Sequence, residues 1–288
     1  MRSSAQKPAP LTLPDGTHFG FERVRVMGIL NTTPDSFSDG GLFADAERAL
    51  ERALALVQAG ADIIDIGGES TRPGSEGVSA EEQIRRTVPV IAALRKESSV
   101  PISIDTTREA VARAALDSGA SIVNDISAFR FDPNMIPLLA ETGVPAIAMH
   151  TLGRPREMQN NPSYGKVVEE VKAHLLDRVG ACERAGVDPG QLVLDPGIGF
   201  GKRLGHNLAL LRELVTLKES GHAVLVGTSR KSFLGEITGK DVFSRASATA
   251  ASVAASIVLG ADIVRVHDVE QLIDTVRVAD AIRHGEQS

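Results

Sequence analysis

Short apolar runs alternate with amphipathic stretches along nearly the whole chain. Eight runs, at residues 24–30, 63–66, 102–104, 122–124, 146–149, 192–194, 223–226 and 263–266, read as strands. Their continuous Val, Ile, Leu and Ala content is what parallel strands covered on both faces require. Between the runs lie helical patterns. Over 45–59, Ala46, Ala49, Leu50, Ala53, Leu54 and Val57 recur at i, i+3, i+4 spacing, with Asp45 as the predicted N-cap and Gly60 as the stop. Gly119, Gly143, Gly186, Gly221 and Gly260 stand at the same place before later strands, where a helix ends in a left-handed residue. An Ala-rich helix is predicted over 246–259.

The repetition extends to residues. Gly60-Ala-Asp-Ile-Ile-Asp65, Gly119-Ala-Ser-Ile-Val-Asn124 and Gly260-Ala-Asp-Ile-Val-Arg265 are near copies, each with a polar residue at the strand's end. Eight alternations of strand and helix predict an α/β protein, a (β/α)8 TIM barrel. An open doubly wound sheet is the alternative, but it does not call for polar residues at the ends of all eight strands. The leading segment 11–19 has a Pro14-Asp15-Gly16 turn between strand-like residues, so a short β-hairpin is expected to cap the barrel bottom. The expected division is an N-terminal extension and hairpin at 1–22, a single barrel at 23–284 and a tail at 285–288.

Composition narrows the picture. Of 288 residues 42% are hydrophobic but only 3% aromatic, so the interior must be filled by branched aliphatics and Ala. The net charge of -6, from 37 acidic against 31 basic residues, gives no general attraction to nucleic acid or anionic lipid. A single cysteine, Cys182, excludes an intrachain disulfide and a Cys-rich metal site, which favours a reducing compartment. Residues 1–10 lack the apolar core of a leader, and the apolar stretch 248–261 is broken by Ser252, Ser256 and Gly260, so neither signal peptide nor membrane span is expected. The expected location is the cytoplasm.

In such barrels the site is built at the C-terminal ends of the strands. The residues following the eight runs are Asn31, Gly67-Gly68-Glu69, Asp105, Asn124-Asp125, His150, Asp195, Thr228-Ser229 and Arg265 with His267. Asp105, Asn124 and Asp195 offer acceptors to a flat heterocycle rich in N–H donors. Arg265 and His267, joined by Arg72, suit an anion such as phosphate. Asn31 and nearby Asp35 are hard oxygen ligands of the kind a phosphate-bound Mg2+ takes. Lys231, in Ser229-Arg-Lys-Ser232, suits either ligand. Taken singly each has a bland reading: Asp105 and Asp125 as helix caps, Asp195 as a turn residue before Pro196, His150 and His267 as structural histidines, and Arg72 and Arg265 as solvated or ion-paired side chains. Their coincidence on one face is what those readings leave unexplained.

The strand-end motifs resemble the dihydropteroate synthase family. They are Met27-Gly-Ile-Leu-Asn-Thr-Thr-Pro-Asp-Ser-Phe-Ser-Asp-Gly-Gly41, Gly67-Gly-Glu-Ser-Thr-Arg-Pro-Gly74, Ser103-Ile-Asp-Thr106, Asn124-Asp-Ile-Ser127, Asp195-Pro-Gly-Ile-Gly-Phe-Gly-Lys202, Ser229-Arg-Lys-Ser232 and Arg265-Val-His-Asp268. The resemblance covers all but the first 20 and last few residues. It implies a transferase of folate biosynthesis that joins 6-hydroxymethyl-7,8-dihydropterin diphosphate to 4-aminobenzoate, giving 7,8-dihydropteroate and pyrophosphate. On that likeness Asp105, Asn124, Asp195 and Lys231 hold the pterin. Thr71, Arg265 and His267 match diphosphate positions, and Asn31 matches the Mg2+ ligand. Ser232, Phe200 and the Arg72-Pro73 turn match the aminobenzoate region. Lys231, Arg265, His267 and Asp35 are the expected catalytic set, and a homodimer is implied.

The family holds sulfonamide-sensitive and sulfonamide-resistant members, and discrimination between drug and substrate falls to Phe37, Pro73, Phe200, Ser232 and loop geometry. The loops at 31–43 and 69–80, rich in Gly, Ser and Pro, are expected to close over the substrates. One departure stands out: Met149-His-Thr-Leu-Gly-Arg-Pro155, where the family usually has Met-Gln-Gly after the His, so the fifth loop's contacts differ. Two rival readings are another pterin-binding barrel, such as a methyltetrahydrofolate-dependent methyltransferase, and a non-catalytic pterin-binding paralogue. The first has no need of Ser229-Arg-Lys-Ser232, and the second is opposed by the presence of every matched site residue.

Overall fold

The computed structural model describes residues 7–33, 41–70, 74, 75 and 77–285. Among them, eight parallel strands close into a barrel: β3 (Arg25–Asn31), β4 (Ile63–Gly67), β5 (Ile102–Asp105), β6 (Ile122–Asp125), β7 (Ala146–Met149), β8 (Leu192–Asp195), β9 (Ala223–Val226) and β10 (Ile263–Val266). β10 pairs with β3, Arg265 opposite Met27, and that seam completes the ring. Each strand lies within a residue or two of its predicted run. The consistent difference is at the top, where Asn31, Gly67, Asp105, Asp125 and Asp195 belong to the strands rather than follow them. The ladder therefore fixes which way those side chains point.

Helices follow the strands: α1 (Gly41–Gln58), α2 (Ala80–Glu97), α3 (Glu109–Asp117), α4 (Met135–Thr142), α5 (Val167–Arg184), α6 (Leu204–Arg212), α7 (Val215–Lys218), α8 (Ser232–Thr238), α9 (Ala246–Val258) and α10 (Val269–His284). One expectation fails here. α1 begins at Gly41, so Asp45 lies inside its second turn and is not its N-cap, and part of the loop expected at 31–43 is helix. The apolar spacing marked the middle of the helix correctly, but a Gly-Gly start carries no capping side chain to read. All six punctuating glycines have positive φ, from +64° at Gly143 to +127° at Gly260. At Gly260 a side chain would be doubly disfavoured, because the Lys218 stem lies against the position its Cβ would take.

The alternation of each strand sorts its residues into two cores. Outward residues such as Val26, Ile64, Ile104, Val123, Leu194 and Val264 pack under the helices. Inward residues near the strand starts, among them Met27, Ile63, Ile122, Ile147, Val193 and Ile263, fill the barrel's lower interior. That lower layer is closed by the hairpin β1 (Leu11–Thr12) and β2 (His18–Phe19), whose Leu11, Leu13, Phe19 and Phe21 are buried against it. Burying each such side chain contributes roughly 1.5–3 kcal/mol. At the same end, Asp62 Oδ2 accepts from Val26 N–H at 2.8 Å and Asp262 Oδ2 from Val224 N–H at 2.8 Å. In these two copies the third residue of the hexapeptide thus ties its strand to the preceding one. No helix among the described residues is long and apolar enough to cross a membrane.

Candidate active site

Two residues further up, the inward face changes from apolar to polar. Ile63, Ile122, Val193 and Ile263 give way to Asp65, Asn124, Asp195 and Arg265, because side chains two apart share one face of a strand. Arg265 is the hub. Its Nε donates to Asp65 Oδ2 at 2.6 Å and its Nη2 to Asp105 Oδ2 at 2.7 Å, while Asn124 Nδ2 donates to the same Asp65 oxygen at 3.2 Å. Asp65 is wholly buried, and its Oδ1 has no hydrogen-bond partner.

Asp105 and Asp195 are held in an unusual state. Burial pushes Asp105 up to about 7, with Arg265 pulling back and Asp65 pushing further. Asp195 rises to about 6, again through burial, although Gly197 N–H donates to its Oδ1 at 2.7 Å. Gly197 must be glycine: its φ is +67°, and a Cβ there would collide with the His150 carbonyl. For Arg265 burial opposes the charge, yet Asp65 and Asp105 raise its pKa above the ordinary value.

Lys231 enters from the loop before α8. Its Nζ lies 3.9 Å from the centre of the Phe200 ring, a cation–π contact. Burial and the Arg265 guanidinium pull it down to about 8, while Asp195 and Asp105 resist. The loop is set by Arg230, which takes a left-handed φ of 60° and forms an ion pair with Asp268, and by Arg245, which donates to the Arg230 and Lys231 carbonyls. Ser232 opens α8 and is exposed. His267 Nδ1 lies 3.0 Å from Ser229 Oγ, which also accepts from the His267 N–H at 3.2 Å. Asn31 ends β3, opposite Gly67.

The bland readings can now be judged. Asp105 caps nothing, since α3 follows Arg108 and Asp105 is bound to Arg265. Asp125 points away from the barrel interior and accepts from Ser127 N–H and Oγ at 2.6 and 2.7 Å, which shapes the turn after β6 without capping α4. His150 is structural: it is buried, and Lys202 Nζ lies 3.0 Å from its Nδ1 while donating to the Phe200 carbonyl at 2.9 Å. Burial, then Lys202, drives His150 down to about 2, so it is neutral. Phe200 lies against Lys231 at the upper end of the barrel, whereas Phe129 and Phe233 are buried in the outer core. Asp35, Phe37, Thr71, Arg72 and Pro73 lie outside the described residues.

The roles of two residues of the site went unread in the sequence. Asp65 stands out in the repeated hexapeptide as a polar strand-end residue but carries no assigned role there, because it lies within its strand rather than after it; its signal is the two-residue spacing from Ile63 through Asp65 to Gly67. Lys202 closes a quoted motif, but nothing local says that its ammonium is buried beneath two loops, at a pKa that burial lowers to about 7.

A closed parallel barrel whose upper interior joins buried carboxylates and an amide to converging cations defines a class, the barrel enzymes that bind a flat, donor-rich heterocycle. Comparison with known proteins bears this out. Residues 27–267 match the family model described as pterin binding enzyme. The dihydropteroate synthase of Synechocystis is 49% identical over 276 residues, covering 96% of each chain. A solved structure of Xanthomonas albilineans dihydropteroate synthase with 4-aminobenzoic acid superposes with a TM-score of 0.90 at 41% identity, covering 98% of this chain and 100% of that one. Another, in complex with 7,8-dihydropteroate, gives 0.86 at 39% identity and covers 96% and 100%. The chain belongs to the pterin-binding enzymes and, within them, to the dihydropteroate synthase family, transferases of folate synthesis.

Proposed function

We propose that this chain condenses 6-hydroxymethyl-7,8-dihydropterin diphosphate with 4-aminobenzoate, releasing 7,8-dihydropteroate and pyrophosphate. The observation that carries the reading is the set of buried acceptors on β5, β6 and β8, gathered with Lys231 and Arg265 at the upper end of the barrel interior. Asp105, Asn124 and Asp195 match the amino and ring N–H groups of a pterin. Lys231 packs on Phe200, where it meets a ring acceptor on one side and the Ser232 region, assigned to the aminobenzoate, on the other. Arg265 and His267, with Thr71 and Arg72, are assigned to the diphosphate, and Pro73 to the wall beside the aminobenzoate.

The chemistry needs no side-chain nucleophile. The methylene C–O bond breaks with its electron pair leaving on pyrophosphate, and the dihydropterin nitrogens share the resulting positive charge. The aniline nitrogen then forms the new C–N bond and releases one proton to water or the departing pyrophosphate. Arg265, His267 and Lys231 stabilise the leaving charge, Asp35 is assigned to the reacting face, and the buried carboxylates favour the cation left behind. A Mg2+ that keeps most of its ligands as waters and phosphate oxygens needs only one or two protein oxygens. Asn31 at the mouth of the barrel fits that demand, with Asp35 nearby in sequence, and such an ion would neutralise charge on the leaving group.

On this reading residues 23–284 are the catalytic unit and the site of action is cytoplasmic. The exposed Val258, Leu259, Val278 and Ile282 on the neighbouring helices α9 and α10 offer the face for a homodimer. The test is direct: the protein is incubated with the pterin diphosphate, 4-aminobenzoate and Mg2+, and pyrophosphate is measured. Release that depends on both substrates and is competed by a sulfonamide is the expected outcome; pterin binding without release would mark a non-catalytic paralogue.

A further inference from the structure

The three near-copies of the hexapeptide end at Asp65, Asn124 and Arg265, and the fold brings those three ends into a single network. Asp65 sits under it. With 0% of its surface exposed it cannot touch a ligand, yet its Oδ2 holds both Arg265 Nε, at 2.6 Å, and Asn124 Nδ2, at 3.2 Å. An asparagine amide has one donor end and one acceptor end. With the donor end turned onto Asp65, the Asn124 Oδ1 is the end left for a ligand. The guanidinium is fixed in the same way: Nε and Nη2 both lie 2.6 Å from Asp65 Oδ2, and that grip sets Nη2 where it also donates to Asp105 at 2.7 Å. The donor and acceptor pattern a ligand meets is therefore set by a carboxylate it never meets.

We propose that Asp65 is a positioning residue for recognition of the heterocycle, holding Asn124 as an acceptor and Arg265 in register with Asp105. The inference rests on the reading of this pocket as the pterin site. An isosteric Asp65→Asn change keeps the shape but removes the charge that holds Arg265, and it presents Asn124 with an amide that can turn either way. The expected result is a rise of about 30-fold in the Kd and KM for the pterin diphosphate, the scale of one lost charge-assisted hydrogen bond. The KM for 4-aminobenzoate stays within about twofold. If Asp65 acts through Asn124, Asp65→Asn weakens binding less in an Asn124→Ala background than in the wild type, a non-additivity that a purely structural role does not produce.

A second measurement needs no variant. In the wild-type protein labelled at asparagine nitrogen and bound to nitrogen-labelled 6-hydroxymethyl-7,8-dihydropterin, the Asn124 side-chain nitrogen should show no scalar coupling across a hydrogen bond to a pterin nitrogen. Such a coupling, or an unchanged pterin Kd in Asp65→Asn, overturns the proposal. A wild-type protein that fails to bind the pterin diphosphate at all overturns instead the functional reading on which it rests.

Discussion

At the N-terminal end of the barrel, Asp62 and Asp262 have both carboxylate oxygens engaged. Asp62 is held by Arg23, Arg25 and the Val26 N–H, and Asp262 by Lys218 at 2.6 Å, Arg283 and the Val224 N–H. At the C-terminal end Asp65 keeps a buried oxygen without a partner, and Asp105 and Asp195 are pushed by burial to about 7 and 6. Asp62 and Asp65 are three residues apart in one hexapeptide. The same side chain is a finished structural tie at one end and an acceptor short of donors at the other. What separates them is whether the fold itself supplies the donors.

That contrast gives its sharpest test in Asp262→Ala, which strands the buried Lys218 and is expected to lower stability by about 3–5 kcal/mol in denaturant unfolding. Catalysis by the folded fraction should be unchanged; a matching loss of kcat/KM would erase the distinction between the two ends. Next come Asp195→Ala and Lys231→Ala, each expected to weaken binding of the pterin diphosphate on the order of 100-fold by calorimetry, because each leaves ligand groups unmet in a buried pocket. Near-normal affinity in either would remove the pocket from the pterin.

The protonation states predict a third, smaller effect. As pH falls from 8 to 6, Asp105 and then Asp195 take up protons and lose acceptor capacity, so pterin affinity should drop about tenfold. Above about 8 Lys231 loses its charge and affinity for the anionic substrate should fall again. A profile flat from pH 6 to 9 would contradict both limbs. The smallest effect belongs to Arg23→Ala: its side chain is 48% exposed, so losing its contact with Asp62 should change stability by less than about 1 kcal/mol.

The barrel was legible because its signals are local and repeated. Eight aliphatic runs, six glycines at one place in the unit and a Pro-Asp-Gly hairpin need only nearby residues to be recognised, and each took the form expected. The start of α1 was misread because amphipathic spacing locates a helix's middle better than its first turn. Arg265, Asp105, Asn124 and Asp195 were legible as polar residues at strand ends, but their mutual contacts were not, since a run of letters does not say which strands are neighbours. For the same reason the roles of Asp65 and Lys202 were not legible. Both are buried charges whose partners stand far away in sequence, at Arg265 and His150.

The link from Arg265 to Asp65 spans 200 residues. One end lies on the second strand of the ring and the other on the last, so the pocket floor comes into being only when β10 closes against β3. A ribosome that has delivered nine-tenths of the chain has delivered no binding site. Competence arrives in one step with the final strand and α10, and a chain shortened before that point is silent however much of its barrel has formed.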